Sequence, residues 1–286
     1  MTSSAVVVAD VLEWAEATTR DLPWRRTRDP WAVLVSEFML QQTQVDRVVP
    51  KFETFMGRFP TPESCATADQ ADVVRLWAGL GYDRRARHLH QAARVVASSH
   101  CGRIPDSFEA LLELPGVGPY TARAVLVFAF EHDAAVVDTN VGRVLARLHG
   151  RTLAWAEAQR LADALVPAGM GWTWNQAMLD LGATICRKRS PRCDVCPVAT
   201  SCAWQGSGDD PAVGSAGTSS PQSRFEGSDR QGRARLVHSL RHEPLPVAKA
   251  GETVGWVDEP DRVARALAGL VADGLVVEVD GMLRLA

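Results

Sequence analysis

Leu114-Pro115-Gly116-Val117-Gly118-Pro119-Tyr120 is the stretch on which the fold turns: it sets two glycines two residues apart between helix-compatible segments, Ile104 to Leu112 and Thr121 to Phe130. Glycine lets the backbone turn tightly and approach another backbone closely, and a helix starting just after it offers unpaired N–H groups to an anion. A hairpin of this kind between helices is a sequence-independent phosphate clamp. The plainer alternative is a helix–helix turn that merely needs glycine.

Working outward, apolar residues recur at helical spacing. Trp31, Leu34, Val35 and Phe38 form one stripe, and Val45, Val48, Val49, Phe52, Phe55, Met56 and Phe59 form the next. Gln41-Gln42-Thr43-Gln44 interrupts them, and Thr43 followed by Asp46 resembles a capping pattern, so one helix ends near Gln42 and another begins. Further stripes run through Val73, Leu76 and Trp77; Leu89, Ala92, Ala93 and Val96; Val125, Val127, Phe128 and Phe130; and Val141, Val144, Leu145 and Leu148. The first 200 residues are therefore expected to be mainly α-helical. Residues 206–223, rich in Gly, Ser, Pro and Ala, read as a flexible linker. Beyond it, Arg233 to Arg241 and Glu259 to Asp273 look helical, and Asp280-Gly281 between Leu275–Val279 and Met282–Leu285 predicts a primed-turn hairpin. Residues 224–286 thus read as a small α+β winged-helix-like module, a type that binds DNA or proteins.

Four cysteines, Cys186, Cys193, Cys196 and Cys202, fall in GATICRKRSPRCDVCPVATSC (182–202). Four soft thiolates on one short coil suit a [4Fe-4S] cluster or zinc. No secretory leader is visible and Cys65 and Cys101 are scattered, so a reducing cytoplasm fits better than disulfides. No apolar run approaches the ~20 residues of a membrane span. The net charge of −3 argues against a nucleic-acid partner on average. Yet residues 1–204 balance 22 basic against 22 acidic side chains, and Arg187, Lys188, Arg189 and Arg192 cluster between the first two cysteines of the group.

Other side chains stand out. Glu37 lies at the edge of a buried stripe, where desolvation raises a carboxyl pKa; a boundary glutamate paired with arginine is the alternative. Asp138 precedes a helix at Val141 and reads first as an N-cap. Tyr82, on a turn with Gly79 and Gly81 beside Arg84, Arg85 and Arg87, is the type of side chain that wedges between bases while cations hold phosphates, or else it completes a core cluster.

Taken in order, LPWR, SEFMLQQTQV, LWAGLGY, LPGVGPYTA, VDTNVGRVLAR, NQAMLDLGATIC and the cysteine loop closely resemble the MutY-type adenine DNA glycosylases of the endonuclease III superfamily, over about residues 12 to 204. The resemblance implies a two-lobed helix-hairpin-helix glycosylase domain over 1–205, with a [4Fe-4S] loop at 186–202. It implies excision of adenine opposite 8-oxoguanine or guanine in double-stranded DNA by base flipping, in a cytoplasmic, nucleoid-associated monomer away from membranes. Position by position, it makes Glu37 the acid that protonates adenine and Asp138 the carboxylate that stabilises the oxocarbenium ion. Tyr120 and Asn140 bond within the site; Arg20, Leu22, Trp24 and Arg25 wall the adenine pocket. Gln42 and Tyr82 probe the stack, and Gly116, Gly118 and the basic cysteine loop contact DNA. Bifunctional relatives carry lysine where Tyr120 stands, so monofunctional hydrolysis is expected.

There are departures. Asp-Gly-Asn is Asp138-Thr139-Asn140 here, the aromatic often found after Tyr82 is Asp83, and the usual larger C-terminal domain that reads 8-oxoguanine is replaced by about 60 residues. Short versions of this kind resemble those of high-GC actinobacteria. The rivals are a thymine or uracil mismatch glycosylase and a non-catalytic iron–sulfur DNA-binding protein.

Overall fold

The computed structural model describes residues 4–216 and 224–286, which form two compact units. The first takes 4–33, 106–108 and 118–216; the second takes 34–105, 109–117 and 224–286. Among the described residues no helix is long and apolar enough to cross a membrane.

The first unit is helical: Ser4–Thr18, Pro119–Phe128, Thr139–His149, Trp155–Asp163 and Gly171–Asp180. Val7, Val11 and Ala15 recur every fourth residue and pack into one core with Val141, Val144, Leu145, Trp174, Ala177 and Met178. Burying each Val or Leu stabilises the unit by roughly 1.5–3 kcal/mol. The helix Gly171–Asp180 widens into a π-turn at Leu181–Ile185 and so delivers the chain to Cys186. The presumed linker does not run free over its described part. Ala212 and Ala216 are buried, Ala216 N–H donates to Leu153 O (2.7 Å), Leu153 N–H donates to Ser215 Oγ (3.1 Å), and Asp210 pairs with Arg147 at 2.6 Å. Small residues made the stretch look like a tether, but small residues also let backbone dock closely. The remainder of the linker, 217–223, lies outside the described residues.

In the second unit, helices Val45–Arg58, Gln70–Leu76 and Arg84–Ser99 enclose an aromatic cluster in which Phe55 meets Phe59 and Trp77 edge-on, at 5.2 and 6.2 Å between centroids. The stretch before the hairpin is helical only over Phe108–Leu112, because Pro105 holds the residues ahead of it extended. Residues 224–286 belong to this unit rather than standing apart. Helices Asp229–Leu240, Ala250–Val254 and Pro260–Ala272 pack with a three-stranded antiparallel sheet in which Met282–Leu285 lies between Leu245–Pro246 and Val276–Val279. Asp280 and Gly281 both take positive φ (52° and 73°), the expected primed turn. One local expectation fails. Thr43 does not cap the helix Val45–Arg58, whose N-cap is Gln44 without a side-chain bond; instead the Thr43 hydroxyl donates to Leu80 O and accepts from Arg85.

The two hairpin glycines differ in kind. Gly116 has φ +80°, and a Cβ there would come within 2.7 Å of His88 Cβ and 2.9 Å of Phe38 Cε1. Gly118, the N-cap of Pro119–Phe128, has an ordinary φ of −101° and nothing within 4 Å of a built Cβ. The fold requires the first glycine and not the second. Gly116→Ala should therefore cost about 2 kcal/mol or more, from backbone strain plus overpacking. Gly118→Ala should stay within about 0.5 kcal/mol of wild type while weakening duplex DNA binding. Equal drops in Tm for the two variants would show that both glycines serve the fold alone.

Candidate active site and cysteine loop

Glu37 sits on the helix Pro30–Leu40, where every residue from Trp31 to Met39 is buried, and is itself 6% exposed. A carboxyl in this position is an internal group of the second unit, not a rim charge. Just beyond the helix, Gln42 is exposed and left-handed (φ 56°); Tyr82, 41% exposed, is left-handed too (φ 50°). Such backbone is costly for residues other than glycine and must be held by its surroundings.

The holder is Arg85. Its Nη1 donates to Phe38 O (2.7 Å) and Met39 O (3.0 Å), at the end of the helix that carries Glu37, and to Gln41 O (2.6 Å) just beyond it. Its Nη2 donates to Leu80 O (3.1 Å) and Gly81 O (2.9 Å), in the turn before Tyr82. Burial pushes this guanidinium down to about 10, so it stays charged at neutral pH. The reading of Arg84, Arg85 and Arg87 as phosphate cations therefore needs correction. Arg85 is buried, Arg84 pairs with Asp273, and Arg87 lies against Gly274, with Nε 2.7 Å from where a Cβ would stand.

In the first unit Asp138 caps the helix Thr139–His149, accepting from Asn140 N (2.8 Å) and Val141 N (2.7 Å), while Asn140 Nδ2 donates to its other oxygen (2.8 Å). Burial pushes the Asp138 carboxyl up from its ordinary value; the three N–H donors and Arg143 oppose that rise without cancelling it. Capping is thus realised, and it leaves a carboxylate surrounded by donors. Arg143 extends the chain of bonds: Nη2 donates to Asn140 Oδ1 (2.8 Å) and Gly182 O (2.7 Å), and Nε donates to Cys186 O (2.8 Å). Gly182 is needed for this contact, since a Cβ would stand 2.7 Å from Asn140 Cβ. Tyr120 lies half-buried in the first turn of Pro119–Phe128.

Leu22, Trp24 and Arg25 are buried together with Asp180. Arg25 grips the Asp180 carboxylate with two bonds of 2.7 and 2.8 Å, and Arg20 adds Nε at 2.6 Å and its backbone N–H at 3.1 Å. Burial alone would raise the Asp180 carboxyl, but the two arginines hold it below the usual carboxylate range. The guanidiniums of the LPWR stretch thus fix that loop to the helix Gly171–Asp180.

The four clustered cysteines line one cavity, closed by Val144, Leu148, Leu181, Ile185 and Val198. Arg147 donates to Cys186 Sγ (3.4 Å) and Arg187 O (2.8 Å) and stacks on Trp204 at 4.5 Å. Among the described residues no three His, Cys, Asp or Glu side chains converge closely enough for a single metal ion. Four sulfurs around an apolar cavity, with a guanidinium donating to one of them, form a donor set of the kind that soft-metal centres use. Arg187, Lys188, Arg189 and Arg192 are all exposed on this loop.

Sequence reading passed over Arg143, Arg147 and Asp180 although all three lie in quoted motifs. Two arginines four apart on an otherwise apolar helix face, and a lone aspartate inside NQAMLDLGA, were the available signals.

The model of the HhH-GPD superfamily base excision DNA repair proteins matches residues 35–166. The adenine DNA glycosylase of Mycobacterium tuberculosis (strain CDC 1551 / Oshkosh) is 45% identical over 283 residues, covering 95% of this chain and 91% of the relative. That of Mycolicibacterium smegmatis (strain ATCC 700084 / mc(2)155) is 44% identical over 284 residues, covering 97% and 95%. Among solved structures, a thermostable thymine-DNA glycosylase is similar with a TM-score of 0.66 at 32% identity, over 71% of this chain and 96% of that one. With the hairpin, the capping carboxylate, the buried glutamate and the cysteine cavity in place, the chain belongs to the adenine DNA glycosylases of the HhH-GPD superfamily.

Proposed function

We propose that the chain is a monofunctional DNA glycosylase that flips adenine out of A:8-oxoguanine and A:G mispairs and hydrolyses its N-glycosidic bond. The observation that carries the reading is the environment of Asp138, whose oxygens face N–H donors from Asn140 and Val141. In the proposed reaction the Glu37 carboxylic acid gives its proton to a ring nitrogen of adenine, and the C1′–N9 electron pair leaves with the base. The Asp138 carboxylate stabilises the positive charge that develops on the sugar, in the manner of a glycosidase pair. Water then adds to C1′ and leaves an abasic site. Tyr120 supplies no amine, so no Schiff base forms and the strand stays intact.

Cys186, Cys193, Cys196 and Cys202 would hold one [4Fe-4S] cluster, whose part is to shape the loop rather than to touch the reacting bond. Arg187, Lys188, Arg189 and Arg192, with the Gly118 turn, would then meet phosphate. Gln42 and Tyr82 would fill and probe the stack once the base has left it, offsetting the few kcal/mol of unstacking. Thymine-directed excision is the second reading, favoured by the likeness to the thymine-DNA glycosylase. Single-turnover assays on A:8-oxoG, A:G and T:G duplexes separate the two, and release of thymine alone would overturn ours.

Glu37→Gln should abolish adenine release yet keep binding to mismatched duplex, because the amide keeps the shape without the proton; wild-type turnover would point to another acid. Asp138→Asn retains an N-cap, so its stability should change by only a few tenths of a kcal/mol, against about 1 kcal/mol for Asp138→Ala. Both should lose most excision. Since the Asp138 carboxyl is raised from 3.8, its anion is lost as pH falls through that raised value. The acid limb of the excision rate should accordingly lie above an ordinary aspartate's, and a rate flat down to pH 4 would count against an anionic role. Purified under anaerobic conditions, the protein should be brown with broad visible absorbance and about four irons. A colourless protein holding one equivalent of zinc would contradict the cluster.

A further inference from the structure

Position 83 looked like a simple loss, an acid where an aromatic is common. The structure gives it a partner. The Asp83 carboxylate is turned inward and meets Arg241, the C-cap residue of the helix Asp229–Leu240, at 2.5 Å, with both side chains only 10% exposed. Arg241 Nε also donates to Val74 O (3.2 Å), and Arg75 Nε donates back to Arg241 O (3.3 Å). The neighbours of Asp83 are engaged in the same way. Arg230 Nη1 donates to the Tyr82 hydroxyl (3.3 Å), and Asp273 is shared between Arg84 and Arg233. Gln70 Nε2 donates to Gly274 O (2.7 Å) and Ala286 O (3.2 Å).

A small terminal module could rest anywhere on a helical unit. This one holds the single turn that displays Tyr82. That turn has glycines at 79 and 81, both with positive φ, so it has little stiffness of its own, and its tyrosine is left-handed. Arg85 fixes the backbone before Tyr82 and lies over its ring at 5.7 Å, and the C-terminal residues add bonds to the tyrosine hydroxyl and to the carboxylate that follows it.

We infer that residues 224–286 act as a positioning device for Tyr82, with the Asp83–Arg241 ion pair as the latch that presents the tyrosine to the base pair under inspection. Arg241 and Asp83 are positioning residues: they act through Tyr82. The inference rests on the reading of Tyr82 as the side chain that probes the stack.

The test is a double-mutant cycle in the full-length chain, read as the single-turnover excision rate on A:8-oxoG and A:G duplexes. Arg241→Met should slow excision about tenfold, as a displaced positioning group does. In a Tyr82→Ala background the same substitution should cost less than about twofold, because a latch with nothing to hold is silent. Arg241→Lys should restore part of the rate through its charge. Arg230→Gln, which leaves the ion pair intact, guards against misfolding of the first variant: its effect should vanish in a Tyr82→Phe background. Equal losses in both backgrounds, or an unchanged rate in Arg241→Met while Tyr82→Ala is impaired, would overturn the latch alone. An unchanged rate in Tyr82→Ala would overturn the reading of Tyr82 and the latch with it.

Discussion

A single buried guanidinium carries much of the second unit's geometry. Arg85 spends its two terminal nitrogens on five carbonyl oxygens and the Thr43 hydroxyl, drawn from two turns about forty residues apart in sequence. Those carbonyls end a helix or sit in a turn, where the intrahelical partner is missing, and the other donors to Gln41 O, Leu80 O and Gly81 O, the Thr43 hydroxyl and Trp77 Nε1, stand at 3.2 to 3.3 Å. Desolvation lowers the guanidinium's pKa to about 10 with nearby Asp83 pulling the other way, so the charge survives burial at neutral pH. No neutral side chain has enough donors in one plane for this task. The left-handed residues Gln42 and Tyr82 flank the two clamped turns, and their strained conformations follow from the clamp.

The first unit solves a comparable problem with a chain rather than a hub. Asp138, Asn140, Arg143 and the carbonyl of Cys186 are linked by successive hydrogen bonds of 2.8 Å each. The capping carboxylate and the cysteine loop are therefore one polar network, laid over a helix whose other face is core. Such networks rigidify when every member is satisfied, and the close packing of Gly182 on Asn140 leaves no room for slack. Arg147, one turn further along, ties the same helix to Cys186, Arg187 and Asp210.

Sequence reading captured what periodicity and turn chemistry encode. The mainly helical character, the Gly116–Gly118 hairpin, the Asp280-Gly281 turn and the capping role of Asp138 all rest on rules local to a few residues. It missed what long side chains reach. Arg84, Arg85 and Arg87 looked like a phosphate patch because charge near an aromatic looks the same on paper whether the guanidinium points out or in. Thr43 looked like a cap because its distance to Asp46 was right, although Arg85 competes for its hydroxyl. Residues 206–216 looked like a tether because composition records softness and not docking. Asp83 looked only like a lost aromatic contact because its partner, Arg241, is 158 positions away. These are long-range electrostatic facts, and no local window contains both halves of them.

The surroundings of Asp138 also bear on the role proposed for it. Burial raises its pKa, which by itself would make it a candidate proton donor. Every group bonded to it, however, is a donor: two backbone N–H groups at a helix N-terminus and an amide N–H. A protonated Asp138 would turn its own hydrogen into that ring of donors, lose a bond and forgo the favourable end of the helix dipole. The bonds that satisfy the cap thus oppose the rise that burial causes, without cancelling it. Glu37, the other carboxyl in the proposal, sits on a helix whose residues from Trp31 to Met39 are all buried. The cap, usually the bland explanation for an aspartate at this position, is therefore compatible with the anionic role proposed for it.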